Sequence, residues 1–246
     1  MKLEAFVEKI ESALGESLTS VILYGSAAAG DHVAKKSDYN LLVVASALGL
    51  KELKAIASVT GAWTRAGNPP PLLFTRDRLQ KSADTFPIEL LDIKQAHRIL
   101  SGEDVVSDIE VSDENLRLEL EHELKGKLIQ LREGYLMTGG KPRQVTSLMT
   151  NSISTFLVLF RGALRLYSGS EVPVLKRDAL QALSEHIEID QAVFLEIDSL
   201  RQGEVKSKDI DADALFDRYV NEVERVVDAV DDFIHQKNGG SGNEGT

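Results

Sequence analysis

Up to about residue 110, apolar and polar positions switch between two periods; beyond it one period dominates. Residues 2–15 place Leu3, Phe6, Val7, Ile10 and Leu14 on one stripe, the spacing of an amphipathic helix. The short β-branched run "SVILY" (20–24), stopped by Gly25, predicts a strand. "YNLLVVA" (39–45) is apolar on both faces, which predicts a central strand. Residues 51–63 predict a helix with Leu53, Ile56 and Ala57 facing inward. Prolines at 69–71 end anything helical, and "PLLFT" (71–75) predicts a third strand. Residues 76–83 predict a helical turn and "FPIELLDI" (86–93) a fourth strand. Short strands separated by short helices imply a small mixed sheet with helices packed on it.

From about residue 112 the helical period runs on. Apolar residues at 116, 120, 124, 128, 131 and 135 predict a long first helix, which Gly139-Gly140 breaks. Residues 145–167 predict the most apolar helix of the chain, and shorter ones follow near 176–186 and 190–201. The last covers 211–236, with Phe216, Tyr219, Val223, Val226, Val230 and Phe233 on one stripe. Long amphipathic helices joined by short breaks make a bundle. The expected fold class is therefore α+β. A small mixed-sheet domain covers 1–110, an all-α helical bundle 111–237, and a flexible Gly-rich tail 238–246.

Composition narrows the function classes. The 246 residues include no cysteine, which excludes disulfides, thiolate zinc sites and cysteine nucleophiles. No apolar run approaches the roughly 20 residues that cross a bilayer, so no membrane role is expected. The N-terminal stripe is interrupted by Glu4, Glu8, Lys9 and Glu11, unlike the unbroken core of a signal peptide, and a cytoplasmic location is expected. The formal net charge is −11, with 12 Lys and Arg against 15 Asp and Glu in residues 1–110 and 16 against 24 thereafter. So acidic a chain is a poor general binder of nucleic acid, because neutralising phosphates takes a positive surface.

One stretch carries candidate chemistry: "LYGSAAAGDHVAKKSDYNLLVV", Leu23 to Val44. Side chains alternate along a strand, so Asp38 and Asn40 share a face at the mouth of the strand that begins at 39. The apolar residues after them anchor that strand. Ahead of them, Gly25 lets an anion approach the backbone, and Ser26 adds a hydroxyl and an amide. An anion cradle beside oxygen donors suits a Mg²⁺-bound nucleoside triphosphate, ATP or another.

That stretch resembles the signature of the nucleotidyltransferase superfamily that includes DNA polymerase beta and kanamycin nucleotidyltransferase: hydrophobic-Gly-Ser, about ten residues, then Asp-x-Asp on a strand. Gly25, Ser26 and Asp38 match it, and Asn40 departs from it. The resemblance implies Asp38 and Asn40 as ligands of Mg²⁺, with a third carboxylate from a later strand. Within "FPIELLDI" that residue is Glu89, with Asp92 the alternative, or else Glu89 lies on a solvated face. The implied activity moves a nucleoside monophosphate from a nucleoside triphosphate to a small-molecule or protein hydroxyl. Asn40 keeps one oxygen donor but loses a charge, which weakens the metal site. Two other classes stay open: a nucleotide-binding or regulatory module without turnover, and an interaction protein whose bundle forms a homodimer beside an inert sheet.

Other polar residues admit plainer readings. Arg117 and His122 are expected in surface salt bridges, and Arg98 in a salt bridge to Asp92 or Glu103. Arg161 and Arg165, in the most apolar helix, are either buried with partners or on its one solvated face.

Overall fold

The computed structural model describes residues 1–29, 39–169 and 171–233, which group into two compact units, Met1–Ser112 and Asp113–Thr246. In the first unit, helix α1 (Leu3–Leu14) leads through a 3-10 turn into strand β1 (Leu18–Tyr24). Strand β2 (Asn40–Ala45) is followed by helix α2 (Leu50–Thr64), strand β3 (Leu72–Thr75), helix α3 (Arg76–Lys81), helix α4 (Pro87–Gln95) and strand β4 (His97–Gly102). The four strands form one sheet in the order β3-β2-β1-β4. β1 runs antiparallel to both β2 and β4, and β2 is parallel to β3, so the sheet is mixed.

Alternation along β1 and β2 splits the core in two. Val21, Leu23, Leu41 and Val43 face α1 and α2, where they meet Phe6, Ile10, Ile56 and Trp63. Trp63 is fully buried, stacks on Phe6 at 4.4 Å between ring centres, and donates from Nε1 to the Pro69 carbonyl at 2.8 Å. Ile22, Leu42 and Val44 face the other way, toward Leu79 of α3, Leu90 and Ile93 of α4, and Val106. The inward face of α2 is Ile56 and Trp63; of the three residues expected inward only Ile56 is buried, and Leu53 and Ala57 are exposed.

Two features of this unit differ from the sequence expectation. Residues 86–93 are not a strand; Pro87–Gln95 is the helix α4. Pro87 occupies its first turn, where a missing N–H costs nothing. Glu89 and Asp92 recur three residues apart, so a helix brings them toward one side, whereas a strand would set them on opposite faces. The fourth strand is instead the edge strand "HRILSG". Its exit is pinned by Ser20, whose buried hydroxyl donates to the Glu103 carbonyl at 2.7 Å. Gly102, at φ +81, lies so close to β1 that a Cβ there would stand 2.0 Å from the Thr19 carbonyl oxygen.

The second unit has helices and no strand among its described residues. It holds α5 (Asp113–Thr138), α6 (Pro142–Ser168), α7 (Lys176–Leu183), α8 (Gln191–Gln202) and α9 (Ala212–Asp231). α6 is the central helix, buried from Val145 to Leu166 along its apolar stripe and packed against α5, α7, α8 and α9. Tyr219 of α9 is fully buried among Phe156, Phe194 and the Ser152 hydroxyl, 3.1 Å from its own. Arg165 is 2% exposed, so it belongs to the buried alternative, and Arg161 donates to the Val174 carbonyl at 3.0 Å. Arg117 pairs with Glu121 at 2.6 Å in the same helix. Residues 238–246 of the expected tail lie outside the described residues.

Candidate functional site

The end of β1 and the start of β2 lie side by side. Tyr24 and Asn40 are register partners, and Tyr24 pairs on its other side with His97 of β4. Register partners project to the same face, here the face that carries Ile22, Leu42 and Val44 and that α4 covers. Asn40 therefore opens a polar end on a face that is otherwise apolar.

The chain turns sharply just after Tyr24. Gly25 has φ +77, a conformation that glycine adopts without strain, and begins a 3-10 turn over Gly25–Ala27 that contains Ser26. Its N–H donates to the Ala96 carbonyl at 2.9 Å, and its own carbonyl accepts from Ala28 and Ala29. A Cβ on Gly25 would sit 3.4 Å from Nδ2 of Asn40, so the amide side chain lies directly against this turn. The structure thus brings Gly25 and Asn40 together. Asp38 lies outside the described residues.

The β2 strand enters this site from a fixed anchor. The Tyr39 N–H donates to Oδ1 of Asn68 at 3.2 Å, and the Tyr39 ring packs 6.1 Å from that of Trp63 on the α1–α2 side of the sheet. Tyr39 is core, as its alternation with Asn40 implies.

Glu89 approaches from α4 and is exposed. Burial, and after it the negative charge of Glu89, raises the pKa of the Tyr24 hydroxyl above its ordinary value near 10. Glu89 thus lies within electrostatic reach of a residue paired to Asn40, but as a helix residue and not within a buried strand. The strands that follow β2 are "LLFT" and "HRILSG", and neither holds a carboxylate. Among the described residues, then, no strand after β2 carries an acid. Arg98 of β4 is not paired to Glu103, whose carboxylate binds Arg76 instead.

Among the described residues no three His, Asp or Glu side chains gather as a metal site. Of the candidate ligands, the described residues include the Asn40 amide against Gly25 and the Glu89 carboxylate, which is felt at the Tyr24 hydroxyl. Such a donor set fits a weakly held hard cation only if Asp38 completes it. Tyr24 and His97 were not legible as neighbours of the site from sequence. Tyr24 could have been found by parity, since it shares the face of Ile22, while His97 depends on the unpredicted β4. His97 has its own structural partners, the Lys94 carbonyl 2.9 Å from Nδ1 and the Asp104 carboxylate 3.6 Å from Nε2.

The sequence matches no protein-family model and no curated protein. Its fold does match a solved structure, that of the spectinomycin adenyltransferase AAD(9) from Enterococcus faecialis with ATP and spectinomycin. The TM-score is 0.55 at 14% identity, over 89% of this chain and 97% of that one. The likeness is one of fold. It upholds the architecture expected from the Gly-Ser and Asp-x-Asn stretch, a small nucleotidyltransferase-like mixed sheet followed by a helical domain.

Proposed function

We propose that this chain, an adenyltransferase-like protein in fold, is a Mg²⁺-dependent nucleotidyltransferase that moves a nucleoside monophosphate from a nucleoside triphosphate, with ATP the first candidate, to a hydroxyl of a small molecule. The observation that carries the reading is the contact of the Asn40 amide with the positive-φ turn at Gly25. It sets a polar donor against a bare stretch of backbone, the arrangement a phosphate chain needs. In this reading Gly25 and Ser26 hold the terminal phosphates, and Asp38, Asn40 and Glu89 hold Mg²⁺. The acceptor oxygen forms a bond to the α-phosphorus as the bond to pyrophosphate breaks, and the hydroxyl proton leaves to a base or to water. Mg²⁺ would neutralise charge on the phosphates.

A second reading is favoured by one specific feature. With Asn40 in place of a carboxylate and no acid on β3 or β4, the cation site is poor in charge, which suits binding nucleotide without turnover. The test has two stages. Calorimetry with ATP is run with and without Mg²⁺; an absence of binding in both would sink both readings. Pyrophosphate release is then followed across polyhydroxylated small acceptors, spectinomycin among them. Release with any one supports transfer, and tight Mg·ATP binding with no release across the set supports the second reading.

A further inference from the structure

The second unit is acidic, with 16 Lys and Arg against 24 Asp and Glu in residues 111–246. Six of its cations are matched to carboxylates. Arg117, Lys125, Arg132, Arg201, Arg218 and Arg225 each contact a carboxylate. Four are not. Lys141, Arg143, Lys206 and Lys208 make no side-chain ion pair or hydrogen bond among the described residues, and all four are exposed. They line one cavity of about 790 Å³, together with Pro142, Gln144 and Ser207. No carboxylate lines it: Glu204, Asp209 and Asp211 are near in sequence but absent from its wall, and Asp211 caps α9 through the Ala214 N–H at 3.1 Å.

Two separate segments build this concentration of charge. The 3-10 turn Ser207–Asp209 packs on α6 and brings Lys206 and Lys208 to its first turn. Lys141 and Arg143 flank Pro142 there, after the positive-φ pair Gly139-Gly140. The first turn of α6 holds no acid, so the cations stand at the positive end of a 27-residue helix. Like charges crowded together repel, and the helix dipole adds to the repulsion. In a unit with carboxylates in excess, four unmatched cations around one hollow are an arrangement that an anion would complete.

We propose that this cavity is a binding site for a compact oligophosphate, an anion with several phosphate groups within a few ångströms of one another. Four cations around one hollow match the charge of such a ligand. A nucleic acid would need a stripe of cations along a groove, and the surrounding acidity opposes one. The site lies wholly in the second unit, whereas the residues proposed to hold nucleotide lie in the first.

The test uses the full chain and inorganic tripolyphosphate, without divalent cation, by calorimetry at low and at moderate salt. Wild type is expected to bind, more weakly as salt rises. Lys206→Gln, in an exposed turn, is expected to lose about tenfold in affinity, since each charge-assisted contact is worth roughly that factor. Arg143→Gln gives the same loss from the other wall, and relieves a like charge at the helix end, so it stays folded by circular dichroism. Asn40→Ala, in the first unit, is expected to leave the affinity unchanged. No binding by wild type, equal binding by both cavity variants, or loss in Asn40→Ala alone would overturn the proposal. So would a preference for a single-stranded oligonucleotide over tripolyphosphate.

Discussion

At Asn40 the chemistry turns on one atom. An amide oxygen can coordinate a cation, but it brings no charge. Its position is well defined, against Gly25 and across from Tyr24. If it ligates Mg²⁺, Asn40→Asp should tighten Mg²⁺ binding in the presence of ATP by about tenfold, because an added unit charge at contact is worth at least that much. A Mg²⁺ titration at fixed ATP measures it, and an unchanged affinity would mean that Asn40 does not face the cation. Much at this scale was legible in the sequence. The parity of Tyr39 and Asn40 follows from strand alternation, and the end of β1 at Gly25 follows from a glycine that stops an apolar run. Glu89 was less legible. An acid among Ile88, Leu90 and Leu91 looks buried in a strand and is exposed on a helix, and only the recurrence of Asp92 three residues on separates the two.

Among the elements, those with strong periodicity were readable and the sheet's edge was not. α1, α5, α6 and α9 each carry a long apolar stripe, and β1 and β2 are nearly continuous apolar runs, so their place in the core follows from composition. β4 contributes only Ile99 and Leu100 amid His97, Arg98 and Ser101, and neither the period of two nor an apolar run appears. It forms because β1 has an unpaired side to fill, which is a tertiary cause. Gly102 is the local condition for that pairing. Gly102→Ala would force a methyl into the Thr19 carbonyl at 2.0 Å and hold alanine at φ +81. A loss of about 3 kcal/mol or more is expected in urea unfolding, from backbone overpacking and left-handed strain together. A loss below about 1 kcal/mol would mean that β4 shifts freely along β1.

The whole molecule offers a way to watch its two units separately. Its one tryptophan, Trp63, is buried in the first unit, while most of the helix belongs to the second. Trp63 fluorescence therefore follows unfolding of the sheet unit, and far-ultraviolet circular dichroism is weighted toward the bundle. A ligand that binds only the folded state raises the transition of the unit it occupies. Mg·ATP is expected to raise the fluorescence midpoint and tripolyphosphate the dichroism midpoint. The reverse assignment would place each ligand in the wrong unit. The two units divide after Ser112, and the fold likeness to an adenyltransferase spans both. The basic cavity was not visible, because Lys141 and Arg143 are separated from Lys206 and Lys208 by the length of α6, α7 and α8 in sequence.

The anchor at Tyr39 fixes which side of the sheet Asn40 faces. A slip of β2 by one residue would carry every side chain to the opposite face, aim Tyr39 at the turn and bury Asn40 beside Trp63. The Tyr39 ring against Trp63, and its N–H on Asn68, oppose that slip. The polarity of the site is thus decided by an aromatic residue on the far face. The sequence around Asn40 could drift among polar types and the strand would still present whatever stands there to the same side.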